Sequence, residues 1–249
     1  MTLRRFFVDP ADIRGEIAVL RGTEAHHLSR VLRLCPGDPV ILFDGTGKRY
    51  TARLENISGS HATAAILAQH LDPLPPVRLC LGQAQLKGQK MDFVLQKATE
   101  LGIDGVWPFF SAHGSGKKSH DSAKNERWQR IVLEACKQCD RARPPEIHAP
   151  SELAQLLADP PDCDLKLIFW EQETGGDLAG LVAAHQGKIG SAIFLVGPEG
   201  GFSPEEVDEA KKNGFIPVSL GSRLLRAETA SLAATAILQF TLGNLAPAP

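Results

Sequence analysis

Three prolines crowd one short stretch of this chain, Pro73, Pro75 and Pro76 of HLDPLPPV, and no regular element tolerates that pattern. The chain is therefore divided near residues 70–77, and the two sides follow different rules. Upstream, short apolar runs at 16–20, 39–43, 50–54 and 63–68 alternate with turn residues such as Pro36-Gly37-Asp38 and Asp44-Gly45-Thr46-Gly47. That spacing predicts a small β-barrel with one short helix over 23–34. Downstream, strand-like runs at 77–84, 106–110, 165–170, 191–196 and 217–220 alternate with helical patterns at 90–101, 123–139, 178–185, 204–213 and 228–242. Strands alternating with helices predict an α/β domain with a largely parallel sheet. The expected domains are 1–72 and 73–249.

With 43% hydrophobic and 22% charged residues the 249-residue chain has the composition of a globular protein, and its formal net charge of −2 supplies no global field for a polyanion. The basic start is followed by no apolar signal core, and no run of 18 apolar residues occurs, so a cytoplasmic protein without a membrane partner is expected. Five scattered cysteines do not form a secreted disulfide framework. Cys136 and Cys139 make one C-x-x-C, but a structural zinc site needs a second pair, so no metal is expected. The polar, basic segment 111–122 reads as a mobile loop, and the closing APAP as a frayed tail.

The stretch IFLVGPEGGFSPEEV at 193–207 is the most informative. An apolar strand runs into a knot of glycines and then a helix start, the layout that elsewhere cradles phosphate. Neither the Walker spacing nor the dinucleotide spacing is present, and the loop carries Glu199 and no cation. A neutral or positively charged ligand suits it better than a phosphate. Ser203, Pro204 and Glu206 have the layout of a helix N-cap, first-turn proline and capping box. The glycines serve close backbone approach, either to a ligand or to another chain segment. A second segment, LGSRLLRAETASL at 220–232, sets Arg223 and Arg226 before an apolar helix that opens with Glu228; these charges either serve a site or are solvated at a helix start.

Taken together, LVGPEGGFSPEEV and LGSRLLRAETASLAATAIL resemble the C-terminal signatures of the SPOUT class of RNA methyltransferases, and more closely the bacterial 16S rRNA uridine-N3 methyltransferase family, RsmE. LQKATELGIDGVWPFFS at 95–111, EACKQCDRARPPEI at 134–147, HHLSRVLRLCPGD at 26–38 and LFDG at 42–45 resemble that family's other blocks in the same order. The resemblance implies an N-terminal PUA-like β-barrel that binds RNA and a C-terminal SPOUT domain, an α/β fold tied in a trefoil knot. It implies a homodimer, S-adenosyl-L-methionine as cofactor, and 16S rRNA or the small ribosomal subunit as partner, with no DNA. The reaction would leave N3-methyluridine at the m3U1498 site of the decoding region. Another SPOUT specificity, or a silent rRNA-binding assembly factor, are the alternatives.

Cofactor contact is carried by the resemblance onto Leu195, Val196, Gly197, Glu199, Gly200 and Gly201, and onto Leu220, Gly221, Leu225 and Arg226. A sulfonium cofactor without phosphate accords with a glutamate-bearing glycine loop. Methylation at N3 requires loss of an imide proton, so Arg226 and Glu228 are the catalytic candidates: Arg226 to stabilise charge on a uracil oxygen, Glu228 to orient Arg226 or accept the proton. A purely structural Arg226–Glu228 pair is the alternative. Candidate RNA phosphate contacts are Arg4 and Arg5, Arg30 and Arg33, Lys87 and Lys90, Lys117 and Lys118, and Arg141 with Arg143.

Overall fold

The computed structural model describes residues 3–114, 122–175, 178–184 and 188–245. Lys117 and Lys118, most of the loop expected over 111–122, the 246–249 tail and the last residue of the 178–185 helix lie outside the described residues. The chain divides into two compact units, 1–74 with 133–144, and 75–132 with 145–249.

The first unit holds β1 (Arg4–Phe7), β2 (Ile13–Arg14), β3 (Ile17–Arg21), β4 (Pro39–Phe43), β5 (Lys48–Ile57) and β6 (His61–Leu71), in the spatial order β1-β4-β5-β6-β3-β2. All neighbours pair antiparallel except β1 with β4. Alternation puts Phe6, Leu20, Val40, Leu42, Tyr50 and Leu54 in one buried cluster. The helix expected over 23–34 is shorter and irregular. Helix α1 (Gly22–His26) passes into a π turn at His27–Val31, closed by the Leu32 N–H on the His27 carbonyl at 2.9 Å, and Arg33 takes a left-handed φ of 53°. A wide turn followed by a left-handed residue ends the helix before Pro36, which could not have continued it.

The second unit holds β7 (Arg78–Ala84), α2 (Lys90–Glu100), β8 (Gly105–Phe110), the start of α3 (Ser122–Cys139), β9 (Glu146–Ile147), β10 (Ser151–Glu152), α4 (Leu153–Ala158), β11 (Leu165–Phe169), α5 (Leu178–Ala184), β12 (Ser191–Val196), α6 (Pro204–Lys212), β13 (Ile216–Val218) and α7 (Ala227–Thr241). Its sheet runs β10-β8-β7-β12-β11-β13, with β9 also on β8, and every pairing is parallel. Such a sheet is covered on both faces, which is why β12 reads as an unbroken apolar run buried from Ala192 to Val196. Helix α7 buries polar residues at four-residue spacing, each satisfied: Ser231 donates to the Gln83 side chain, Thr235 to the Ser231 carbonyl at 2.7 Å, and Gln239 to the Leu101 carbonyl at 2.9 Å.

The last turns of α3, with residues 140–144, belong to the first unit because they carry its ion pairs. Asp140, in a left-handed conformation (φ 64°) that aspartate tolerates at a helix end, receives Arg5 at 2.6 Å and Arg49 at 2.9 Å. Arg49 also holds Asp72 at 2.7 Å, Arg143 donates to the Asp72 carbonyl at 2.7 Å, and Lys137 pairs with Glu24. Cys136 is buried in the same stretch, and burial pushes its thiol up to about 12.

Candidate functional site

In an open parallel sheet, ligands bind beyond the carboxyl ends of the strands, where the chain leaves for a helix. The second unit has a pocket of about 310 Å³ in that position. Three strand exits wall it: Phe169-Trp170-Glu171 after β11, Val196 to Phe202 after β12, and Ser219 to Leu225 after β13, with Ala227 and Ala230 of α7 closing one side. Val196, Gly197, Glu199, Gly200, Gly201, Leu220, Gly221 and Leu225 all line it. Leu195 is fully buried, packed on Gly82 of β7, so it supports the wall from behind. Arg226 is the exposed N-cap residue of α7, just outside the lining. Phe169, Trp170 and Glu171 were not singled out from the sequence. The rule that each strand exit of a parallel sheet faces the ligand would have found them.

The glycine loop is held by its own protein. A Cβ on Gly200 would lie 2.9 Å from the Cβ of His113, one on Gly197 would press on Phe202 at 3.2 Å, and one on Gly201 (φ 71°) would lie 2.5 Å from a Glu171 carboxylate oxygen. Close approach to neighbouring segments is therefore one reason for all three glycines. The capping box is formed: the Ser203 hydroxyl accepts from the Glu206 N–H at 3.2 Å, and Glu206 accepts from the Ser203 N–H at 2.9 Å. Glu206 also accepts from the Ala112 N–H at 2.8 Å and the Ser111 hydroxyl at 3.2 Å, tying the exit of β8 to α6.

Glu199 and Glu228 share a partner that sequence proximity does not reveal. The Lys90 ammonium, at the start of α2, lies 3.1 Å from Glu199 Oε1 and 3.5 Å from Glu228 Oε2. The Lys87 N–H also donates to Glu199 Oε1 at 3.3 Å. Burial pushes the Glu199 carboxyl up, but hydrogen bonds from its own N–H, from Lys90 and from Lys87 outweigh it and leave the group below its ordinary value. Lys90 is raised, first through its bond to Glu199. Glu228 is largely buried, and its Oε2 has no partner in hydrogen-bond geometry. Among the described residues no ion pair joins Glu228 to Arg226; residues two apart on a helix start do not face each other.

The domain model of RNA methyltransferases matches residues 73–239, and that of the RNA methyltransferase PUA domain matches 20–67. The ribosomal RNA small subunit methyltransferase E of Buchnera aphidicola (subspecies Schizaphis graminum) is 31% identical over 93% of both chains. That of Synechocystis is 33% identical over 93% of this chain and 76% of its own. The chain belongs to the ribosomal RNA small subunit methyltransferase E family. Among solved members of it, the Neisseria gonorrhoeae protein bound to S-adenosyl methionine superposes with a TM-score of 0.84, at 35% identity, over 96% of this chain and 98% of that one.

In this member of the methyltransferase E family the basic candidates fall into two groups. Arg4, Arg30, Arg33 and Lys87 are exposed. Arg5 is paired with Asp140, Arg143 with the Asp72 backbone, and Lys90 with the two glutamates, so these three already have partners inside the fold. Arg141 is half-buried directly after Asp140, its N–H on the Cys136 carbonyl at 3.1 Å. Among the described residues no helix is long and apolar enough to cross a membrane, and no group of histidine, cysteine and acidic residues is gathered to hold a metal.

Proposed function

We propose that this protein transfers a methyl group from S-adenosyl-L-methionine to N3 of a uridine in 16S rRNA, at the m3U1498 site of the decoding region. The observation that carries the reading is the pocket at three adjacent strand exits, where GPEGG and LGSRLLRAET form facing walls. Its chemistry fits that cofactor. The volume is that of a small-molecule site, the walls are mostly backbone and apolar side chains, and Glu171 and Glu199 supply negative charge. The Trp170 indole N–H, buried without an acceptor, is a further group a ligand would satisfy. When bound, S-adenosylmethionine supplies an electrophilic methyl on a positively charged sulfur.

The chain's own residues must then present a deprotonated N3. Glu228, largely buried at the start of α7 with the Lys90 ammonium 3.5 Å from its Oε2, is assigned to accept the imide proton, and Arg226 to stabilise the negative charge on a flanking uracil oxygen. The target edge is the Watson–Crick edge, so a paired or stacked base would first be extruded. Residues 1–72 are assigned as a PUA-like RNA-binding barrel and 73–249 as a trefoil-knotted methyltransferase domain. Arg4, Arg5, Arg30, Arg33, Lys87, Lys90 and Arg141 are the phosphate-contact set, with the exposed members carrying most of it; affinity should fall steeply with salt. A homodimer is supported by exposed Phe93 of α2 and Ile237 and Phe240 of α7, helices that pack on each other and leave apolar surface uncovered.

The test is mass spectrometry of small-subunit rRNA from cells lacking the gene, with and without an Arg226→Ala copy. Loss of N3-methyluridine without the gene, and failure of the variant to restore it while still binding cofactor, is the expected result. An unchanged N3-methyluridine signal in the deletion would overturn the assignment.

A further inference from the structure

A lysine that bridges two glutamates at the edge of a ligand pocket is more than the phosphate contact its sequence position suggests. Lys90 stands at the first turn of α2. Its ammonium reaches Glu199, on the glycine loop, and faces Glu228, on the first turn of α7, from 3.1 and 3.5 Å. Three elements far apart in sequence thus converge on one cation. The two carboxylates are not equivalent. Glu199 Oε1 receives both Lys90 and the Lys87 N–H, whereas Glu228 Oε2 is buried and lacks any donor in hydrogen-bond geometry. With only a long ion pair to Lys90, this buried oxygen is short of donors, which costs free energy, and a substrate N–H would supply one.

We propose that Lys90 is a catalytic residue of the methyl transfer: anchored by Glu199, its ammonium donates to the uracil carbonyl oxygen next to N3 while Glu228 Oε2 takes the N3 proton. This rests on the function proposed above and names the acceptor side of that site. The step balances. The N3–H bond breaks and its proton goes to the Glu228 carboxylate. The negative charge left on the imide spreads onto the flanking oxygen beside the Lys90 ammonium. The N3 electron pair then forms the bond to the methyl carbon, and the pair of the broken carbon–sulfur bond stays on sulfur, which departs as a neutral thioether. Lys90 keeps its protons throughout. A neutral imide and a bare glutamate could not do this readily, because without the Lys90 ammonium one of the two oxygens that share the developing charge would have no cation beside it. A preorganised cation at the developing oxyanion is worth about a hundredfold or more in turnover. Anchoring by Glu199 leaves that cation in place between turnovers. Uracil has an oxygen on each side of N3, so a contact from Lys90 at one is compatible with Arg226 at the other.

The experiment compares the full-length wild-type protein with Lys90→Met, on small-subunit rRNA carrying uridine, 2-thiouridine or 4-thiouridine at the target, reading N3 methylation by mass spectrometry and cofactor binding by calorimetry. Lys90→Met is expected to lower kcat about a hundredfold, with KM for RNA and cofactor affinity changed less than about threefold, under about 0.7 kcal/mol each. One of the two thio substitutions should slow the wild type about tenfold or more, because sulfur is the weaker acceptor, yet slow Lys90→Met no further. Lys90→Gln, which keeps a donor without the charge, repeats the comparison if Lys90→Met loses its melting transition. Thio and lysine effects that simply multiply would overturn the proposal, as would a raised KM with unchanged kcat, which marks a phosphate contact. Absence of N3-methyluridine from the wild-type reaction would overturn instead the functional reading on which this rests.

Discussion

The two walls of the pocket are built on opposite terms. The glycine loop is locked from every side: Gly200 against His113, Gly201 against Glu171, Glu199 on Lys90, and Glu206 holding both its own helix start and the exit of β8. The wall after β13 is nearly free. A Cβ on Gly221 would meet nothing within 4 Å, Ser219 and Gly221 bond to each other at 3.2 and 3.3 Å, and Leu224 is 84% exposed. One wall has its shape before any ligand arrives, and the other gains contacts only when something covers it. The first sets geometry, and the second supplies the adaptable grip, a division that suits a site which must both fix a methyl donor and admit a large partner.

That contrast can be broken by substitution. The largest effect is expected for Gly201→Val: a β-branched residue at φ 71° facing a carboxylate costs about 3 kcal/mol, read from the urea midpoint, with cofactor binding lost. Glu206→Ala removes a capping box and the anchor of the Ala112 N–H, and should cost about 2 kcal/mol in the same titration. Gly221→Ala sits in open space and carries only the strain of φ 101°, about 1 kcal/mol, so it should lose the least stability of the three while shifting cofactor affinity. If Gly221→Ala proves as destabilising as Gly201→Val, the second wall is not open. The smallest effect sharpens the picture through pH. Because the Glu199 carboxyl is depressed in the fold, its contribution is present above its ordinary value of 4.5 and is lost as pH falls through and below it. Wild type and Glu199→Gln should therefore differ slightly in thermal midpoint at pH 7, and the difference should shrink as pH falls below 4.5.

Features set by neighbours in sequence were legible. The cap at Ser203-Pro204-Glu206, the buried run of β12 and the apolar α7 all appear where local pattern places them, within a residue or so. What sequence reading missed depends on distance. Lys90 and Glu199 are 109 residues apart, and nothing local predicts that the cation absent from GPEGG arrives from another helix. Arg226 and Glu228 suggested a pair by adjacency, but Glu228 faces Lys90 while Arg226 is exposed. Strands β9 and β10 are two residues each, too short to show alternation. Arg5 reads as a surface cation until Asp140 is seen beside it.

Asp140 also bears on how the protein is made. The first unit is not complete at Leu74: Arg5 finds its carboxylate, Arg49 its second one, and Glu24 its lysine in the segment from Leu133 to Pro144. A ribosome adding about 5–20 residues per second needs several seconds to pass from one to the other. The amino-terminal unit must wait through the synthesis of about a third of its neighbour before these ion pairs can form, so a nascent chain stalled between them would hold a complete sheet whose charged partners are still missing.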